Sequence, residues 1–137
     1  MKTWFFPALI FAVFVLPLPN VFAAESATWA GEYADKKFLN GSAVFQLTIE
    51  QSGSKIQVSF DAVNNDGRGC APETQTTAKL GGKDELKFDF LDNQGNAGTG
   101  RIKRSGDELI VSLKTTRVTK QDCTKFYVDG IRLKKVK

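Results

Sequence analysis

Apolar and polar residues alternate with period two through much of the chain. Ala43, Phe45, Leu47 and Ile49 alternate with Val44, Gln46, Thr48 and Glu50, and Ile56, Val58, Phe60 and Ala62 with Gln57, Ser59 and Asp61. Further along, Leu86, Phe88 and Phe90 alternate with Lys87 and Asp89, and Leu109, Val111 and Leu113 with Ile110, Ser112 and Lys114. Successive side chains on a strand point to opposite faces, so each run predicts a strand with one face on a core. Shorter patterns predict further strands at 28–33, 74–80, 97–104 and 125–133. Within the last, the apolar phase slips from Phe126 and Val128 to Ile131 and Leu133, and Gly130 at the slip predicts a bulge.

Turn chemistry separates these runs. Ser52-Gly53, Gly81-Gly82, Asp92-Asn93-Gln94-Gly95-Asn96 and Ser105-Gly106-Asp107 all carry residues that tolerate positive φ. The pattern therefore predicts an all-β fold, an antiparallel meander of about eight strands closed into a small barrel, with an open sandwich as the alternative. Gly98 and Gly100 share a face of their strand, where they would relieve crowding or permit sharp coiling. No helix of core-forming length is predicted.

The first residues depart from this pattern. Lys2 precedes an apolar run over 4–16, then Pro17, Pro19 and Asn20, then Val21-Phe22-Ala23. One positive charge, a short hydrophobic stretch and small residues before a cut make an export signal, with cleavage expected after Ala23. The working molecule is then one domain, residues 24–137, in the periplasm or secreted. It keeps six of the eleven phenylalanines, together with Trp29, Tyr33 and Tyr127. That is enough, with its aliphatic residues, for one modest core.

Cys70 and Cys123 are the only cysteines, and an even count in an exported chain predicts a disulfide. Closing that loop would stabilise the fold by roughly 4 kcal/mol in the chain-entropy picture. The chain has no histidine, which excludes Ser-His-Asp and Cys-His catalysis and His-bearing zinc sites. A carboxylate pair remains for hydrolysis, with Asp61, Asp66 and Glu73 as the acids to consider. Calcium would need several oxygens from one shaped loop, and the Asn64–Gly67 and Asp92–Asn96 stretches read instead as ordinary turns. No cofactor or metal is expected.

Net charge hides an asymmetry. Residues 24–100 carry seven Lys/Arg against eleven Asp/Glu, whereas 101–137 carry eleven against four. A basic last third suits an acidic protein, an anionic lipid surface or a cell-wall polymer, and equally describes strand faces that lysines keep soluble. Nucleic acid is an improbable partner for an exported chain. The long polar connection 63–73 holds Cys70 and the run Asn64-Asn65-Asp66-Gly67-Arg68-Gly69, which makes it the natural place for function on a rigid scaffold. Arg68 between two glycines can reach a carboxylate bidentately, and Asn65, Asp66 and Glu73 complete the candidate binding set.

Trp29-Ala30-Gly31-Glu32-Tyr33 resembles the Trp and Gly near the first strand of small calycin-like barrels of the lipocalin and avidin style, although lipocalins have the order Gly-x-Trp. That resemblance implies a tryptophan plugging one barrel end and an interior that takes a small apolar ligand. Ser105-Gly106-Asp107-Glu108-Leu109 is similar to the Ser-Gly-x-x-Tyr loop of bacterial periplasmic lysozyme inhibitors, with Leu109 at the tyrosine position. That resemblance implies an exported barrel that inhibits a partner protein. The sequence thus leads to a non-enzymatic exported binding protein or inhibitor. A carrier of a small apolar ligand and a carboxylate-only hydrolase are the alternatives.

Overall fold

The computed structural model describes residues 28–136, and the predicted leader lies outside them. Eight strands follow one another: β1 (Gly31–Lys37), β2 (Ala43–Ser52), β3 (Lys55–Asn64), β4 (Glu73–Gly82), β5 (Glu85–Leu91), β6 (Ala97–Ser105), β7 (Glu108–Arg117) and β8 (Ile131–Lys135). Each pairs antiparallel with its neighbours in sequence, and β8 returns to β1, so the sheet closes as a barrel rather than an open sandwich. The β2/β3 hairpin is in unbroken register from Ala43↔Asn64 to Ser52↔Lys55. Closure is lighter, through Tyr33↔Lys135 and Ala34↔Lys134. The disulfide Cys70–Cys123 is formed, with Cα atoms 5.2 Å apart.

The alternating apolar residues point inward. Phe45, Leu47, Val58, Leu86, Ile102, Val111 and Leu133 are fully buried. Phe60 sits among aromatic neighbours, its ring centroid 5.5 Å from those of Phe45 and Phe90 and 6.1 Å from that of Phe88. Contacts between rings at such distances fill the width of a small barrel. Room for them comes from β6. Phe88 lies opposite Gly100 and Phe90 opposite Gly98. A Cβ on Gly100 would stand 2.1 Å from Phe88 Cζ, and one on Gly98 2.2 Å from the Lys114 carbonyl oxygen. The aromatic rings of β5 occupy the space that side chains on β6 would take.

Three expectations change at the strand ends. The first strand runs Gly31–Lys37 rather than 28–33. Residues 125–133 are not one strand: Gln121–Phe126 form a 3₁₀ helix and β8 begins at Ile131. Lys125 to Val128 alternate like a strand, but the disulfide at Cys123 and the hydrogen bonds of Tyr127 hold this stretch elsewhere. Gly130 is not a bulge; with φ +76° it turns the chain into β8, and its N–H donates to Ser112 Oγ at 3.1 Å. The register shifts of the sheet lie instead between Leu80 and Gly82, where β4 meets β5, and between Ala97 and Gly98, where β6 meets β7.

The two ends of the barrel differ. One carries the tight turns after β2, β4 and β6 and is closed by Trp29, which is 5 % exposed. The Trp29 N–H donates to Gln51 Oε1 at 2.9 Å, Tyr33 Oη donates to its carbonyl at 3.2 Å, and the Arg104 guanidinium lies 4.0 Å above its ring. The other end carries the longer connections and the disulfide. Beneath them Phe38 and Phe126 stack, and Phe38 meets Phe45 edge-on.

Candidate functional site

Four segments meet at the disulfide end: the turn Phe38–Gly41, the connection from Asn64 to Glu73, the turn from Asp92 to Asn96, and the stretch from Val118 to Gly130. The last three are joined in a closed ring of ties, and the first is tied to the second. Asn65 N–H donates to the Ser42 carbonyl at 2.9 Å and its side-chain amide to the Gly41 carbonyl at 2.5 Å, linking the first segment to the second. Glu73 and Asn93 link the second to the third, since Glu73 N–H donates to Asn93 Oδ1 at 2.9 Å and Asn93 N–H to the Glu73 carbonyl at 3.0 Å. Asn96 Oδ1 accepts from the N–H groups of Thr119 at 2.8 Å and Lys120 at 2.9 Å, linking the third to the fourth. Cys70–Cys123 joins the fourth back to the second.

The keystone of this rim is a buried carboxylate. Asp92 continues the inward alternation of Leu86, Phe88 and Phe90, so its side chain enters the apolar end of the barrel. It is satisfied there. Oδ1 accepts from the N–H groups of Gln94 and Asn96 at 2.8 and 2.9 Å, and Oδ2 from Asn96 Nδ2 at 3.0 Å and from the Tyr127 hydroxyl. Burial pushes the Asp92 carboxyl up, but these donors, Tyr127 foremost, outweigh it and hold the group below the usual carboxylate range. Burial and the Asp92 carboxylate push the Tyr127 phenol well above its ordinary value. Both carboxylate oxygens are engaged by protein donors. The Asp92–Asn96 turn is therefore a structural brace rather than a cation loop.

The residues singled out from the sequence take different places in the structure. Asn65 ties the rim, as above. Asp66 shapes the loop: its Oδ1 accepts the Arg68 N–H at 2.9 Å, while Asn64 Nδ2 donates to the Arg68 carbonyl at 2.7 Å. Gly67 and Gly69 on either side take φ +71° and +79°, which other residues adopt only with strain. The backbone of Arg68 is thus fixed on both sides, and its side chain is exposed without an ion pair to any described residue. Glu73 is not brought to Arg68. It opens β4 on the outer wall, directly opposite Asp61 on β3. Partial burial and then the Glu73 charge raise the Asp61 pKa, an arrangement of two like charges on a strand surface. Cys70 and Cys123 are buried, and because their sulfurs are bonded to each other the neighbouring Asp122 gains no thiolate partners for a metal.

Asp92 and Asn96 read from the sequence only as turn residues, and Tyr127 only as a core aromatic. The signal was available, because a carboxylate stands at a position where the period-two pattern of β5 calls for an apolar residue. Comparisons of the chain with protein-family models, curated proteins and solved structures gave no match.

Proposed function

We propose that this is a non-enzymatic exported binding protein that engages an acidic protein partner through the disulfide-braced rim, with Arg68 as its anchor. One observation carries the reading. Arg68 is held at the backbone by Asp66 and Asn64 while its guanidinium stands in solvent, unpaired among the described residues. A guanidinium on a fixed backbone loses less freedom on binding than one on a mobile loop, and Arg is enriched among interface anchors. The two sulfurs favour an oxidising compartment, in keeping with export. Ring contacts around Phe60 fill part of the barrel interior, which favours binding on the outside over a carried ligand, and Asp61 and Glu73 lie opposite each other on the outer wall.

The test is affinity capture from periplasmic or extracellular extract with oxidised residues 24–137, in parallel with Arg68→Ala. A protein held by the parent and lost from the variant, with thermal stability unchanged, is the expected result. A partner retained equally by both would remove Arg68 from the interface. A small molecule released on denaturation, with no protein captured, would favour the carrier.

A further inference from the structure

The outer wall of β4 to β7 is hollowed into a groove of about 1120 Å³. Five cations line it, Lys79, Lys87, Arg101, Lys103 and Lys114, against two carboxylates, Asp89 and Asp129. Their placement follows from strand register: Lys79 lies opposite Lys87, and Lys87 opposite Arg101. Three positive charges thus stand side by side on neighbouring strands, about 4.8 Å apart at the backbone. Like charges in that position work against the sheet. One of them is partly offset within the chain, since Arg101 Nε lies 2.7 Å from Glu85 Oε1, an ion pair by distance whose angles fall outside those of a hydrogen bond.

The groove also has a built shape. The register shift between Leu80 and Gly82 bows β4 beside it. The Lys87 stem lies across Gly81, where a Cβ would come within 2.7 Å of Lys87 Cγ. The absence of a side chain at Gly81 therefore lets Lys87 lie flat along the wall. Between the cations stand the hydroxyls of Thr77, Thr99 and Ser112.

We infer that this groove binds a linear acidic polysaccharide, with carboxylates on successive sugars meeting the row Lys79, Lys87 and Arg101 and sugar hydroxyls meeting Thr77, Thr99 and Ser112. Protein interfaces are depleted in lysine, and all four strands here present a lysine to the groove, Lys79, Lys87, Lys103 and Lys114. Single-stranded nucleic acid would need aromatic platforms, and the one aromatic in the lining, Phe88, has its ring turned into the core. The Glu85–Arg101 pair shows a carboxylate already seated at one end of the row. This surface is separate from the Arg68 rim, and the inference does not depend on that reading.

The test measures binding of immobilised residues 24–137 to polygalacturonate, with neutral dextran and a single-stranded oligodeoxynucleotide as comparisons, at low and high salt. The parent should bind polygalacturonate, ignore dextran, prefer the polysaccharide to the oligonucleotide, and weaken as salt screens the contacts. Lys79→Glu/Lys87→Glu should weaken binding by about tenfold or more. Lys134→Glu/Lys135→Glu, an equal change of charge at the β1/β8 seam, should leave it within about twofold. Equal losses in the two variants would reduce the effect to net charge and overturn the site. So would salt-independent binding, preference for the oligonucleotide, or no binding to polygalacturonate.

Discussion

Asp92 illustrates how a single carboxylate can organise one end of a barrel. A charge in an apolar setting is costly unless donors surround it, and here four do. Tyr127 is the donor that can be removed with least change of shape. Tyr127→Phe should lower stability by about 1–3 kcal/mol at neutral pH, measured by urea unfolding. The pH dependence carries a sign. Asp92 has a folded pKa below its unfolded one, so its contribution is complete above about pH 4 and is lost as pH falls through the folded value. The gap between parent and Tyr127→Phe should therefore narrow in acid. A gap that stayed constant down to about pH 2 would mean that the hydroxyl acts by packing alone. This residue was legible in principle as a break in the β5 alternation, but its partner was not. Tyr127 lies 35 residues away, and only the folded chain shows that the two meet.

Between elements, period-two alternation located most strands because each has one wet and one dry face. It failed where the chain leaves the sheet. Residues 125–128 mimic a strand, yet a 3₁₀ turn, a disulfide and a buried tyrosine outweigh a short apolar pattern. The reading of Gly98 and Gly100 as relief of crowding was sound, and the register explains it: these glycines accommodate the rings of β5. Gly100→Ala should cost about 1–3 kcal/mol by overpacking, and Gly98→Ala more, because it meets a carbonyl oxygen rather than a ring that can swing. Adding Phe88→Leu should recover part of the Gly100→Ala loss and none of the Gly98→Ala loss. Equal rescue of both in thermal melts would show that the strands, rather than the rings, had moved.

For the whole molecule, the disulfide does two things that the cysteine count foretold only in part. It shortens the unfolded chain's freedom, which predicts a loss of about 4 kcal/mol in Cys70→Ser/Cys123→Ser. It is also the covalent member of the ring around the rim. The same variant should therefore lose amide protection first at 64–73 and 121–126, followed by hydrogen exchange, while the β2/β3 hairpin stays protected. Uniform loss would make the bridge a general staple with no special hold on the rim. The tight-turn end has a different attachment, with Trp29 packed beneath Arg104 and anchored to Gln51. In the chain shortened at Ala23, Trp29 is the sole indole, so the molecule carries one tryptophan fluorophore, at the end away from the bridge. Its emission reports when that plug leaves, and exchange at the rim reports the opposite end, so the barrel contains its own means of showing whether its two mouths open together or in turn.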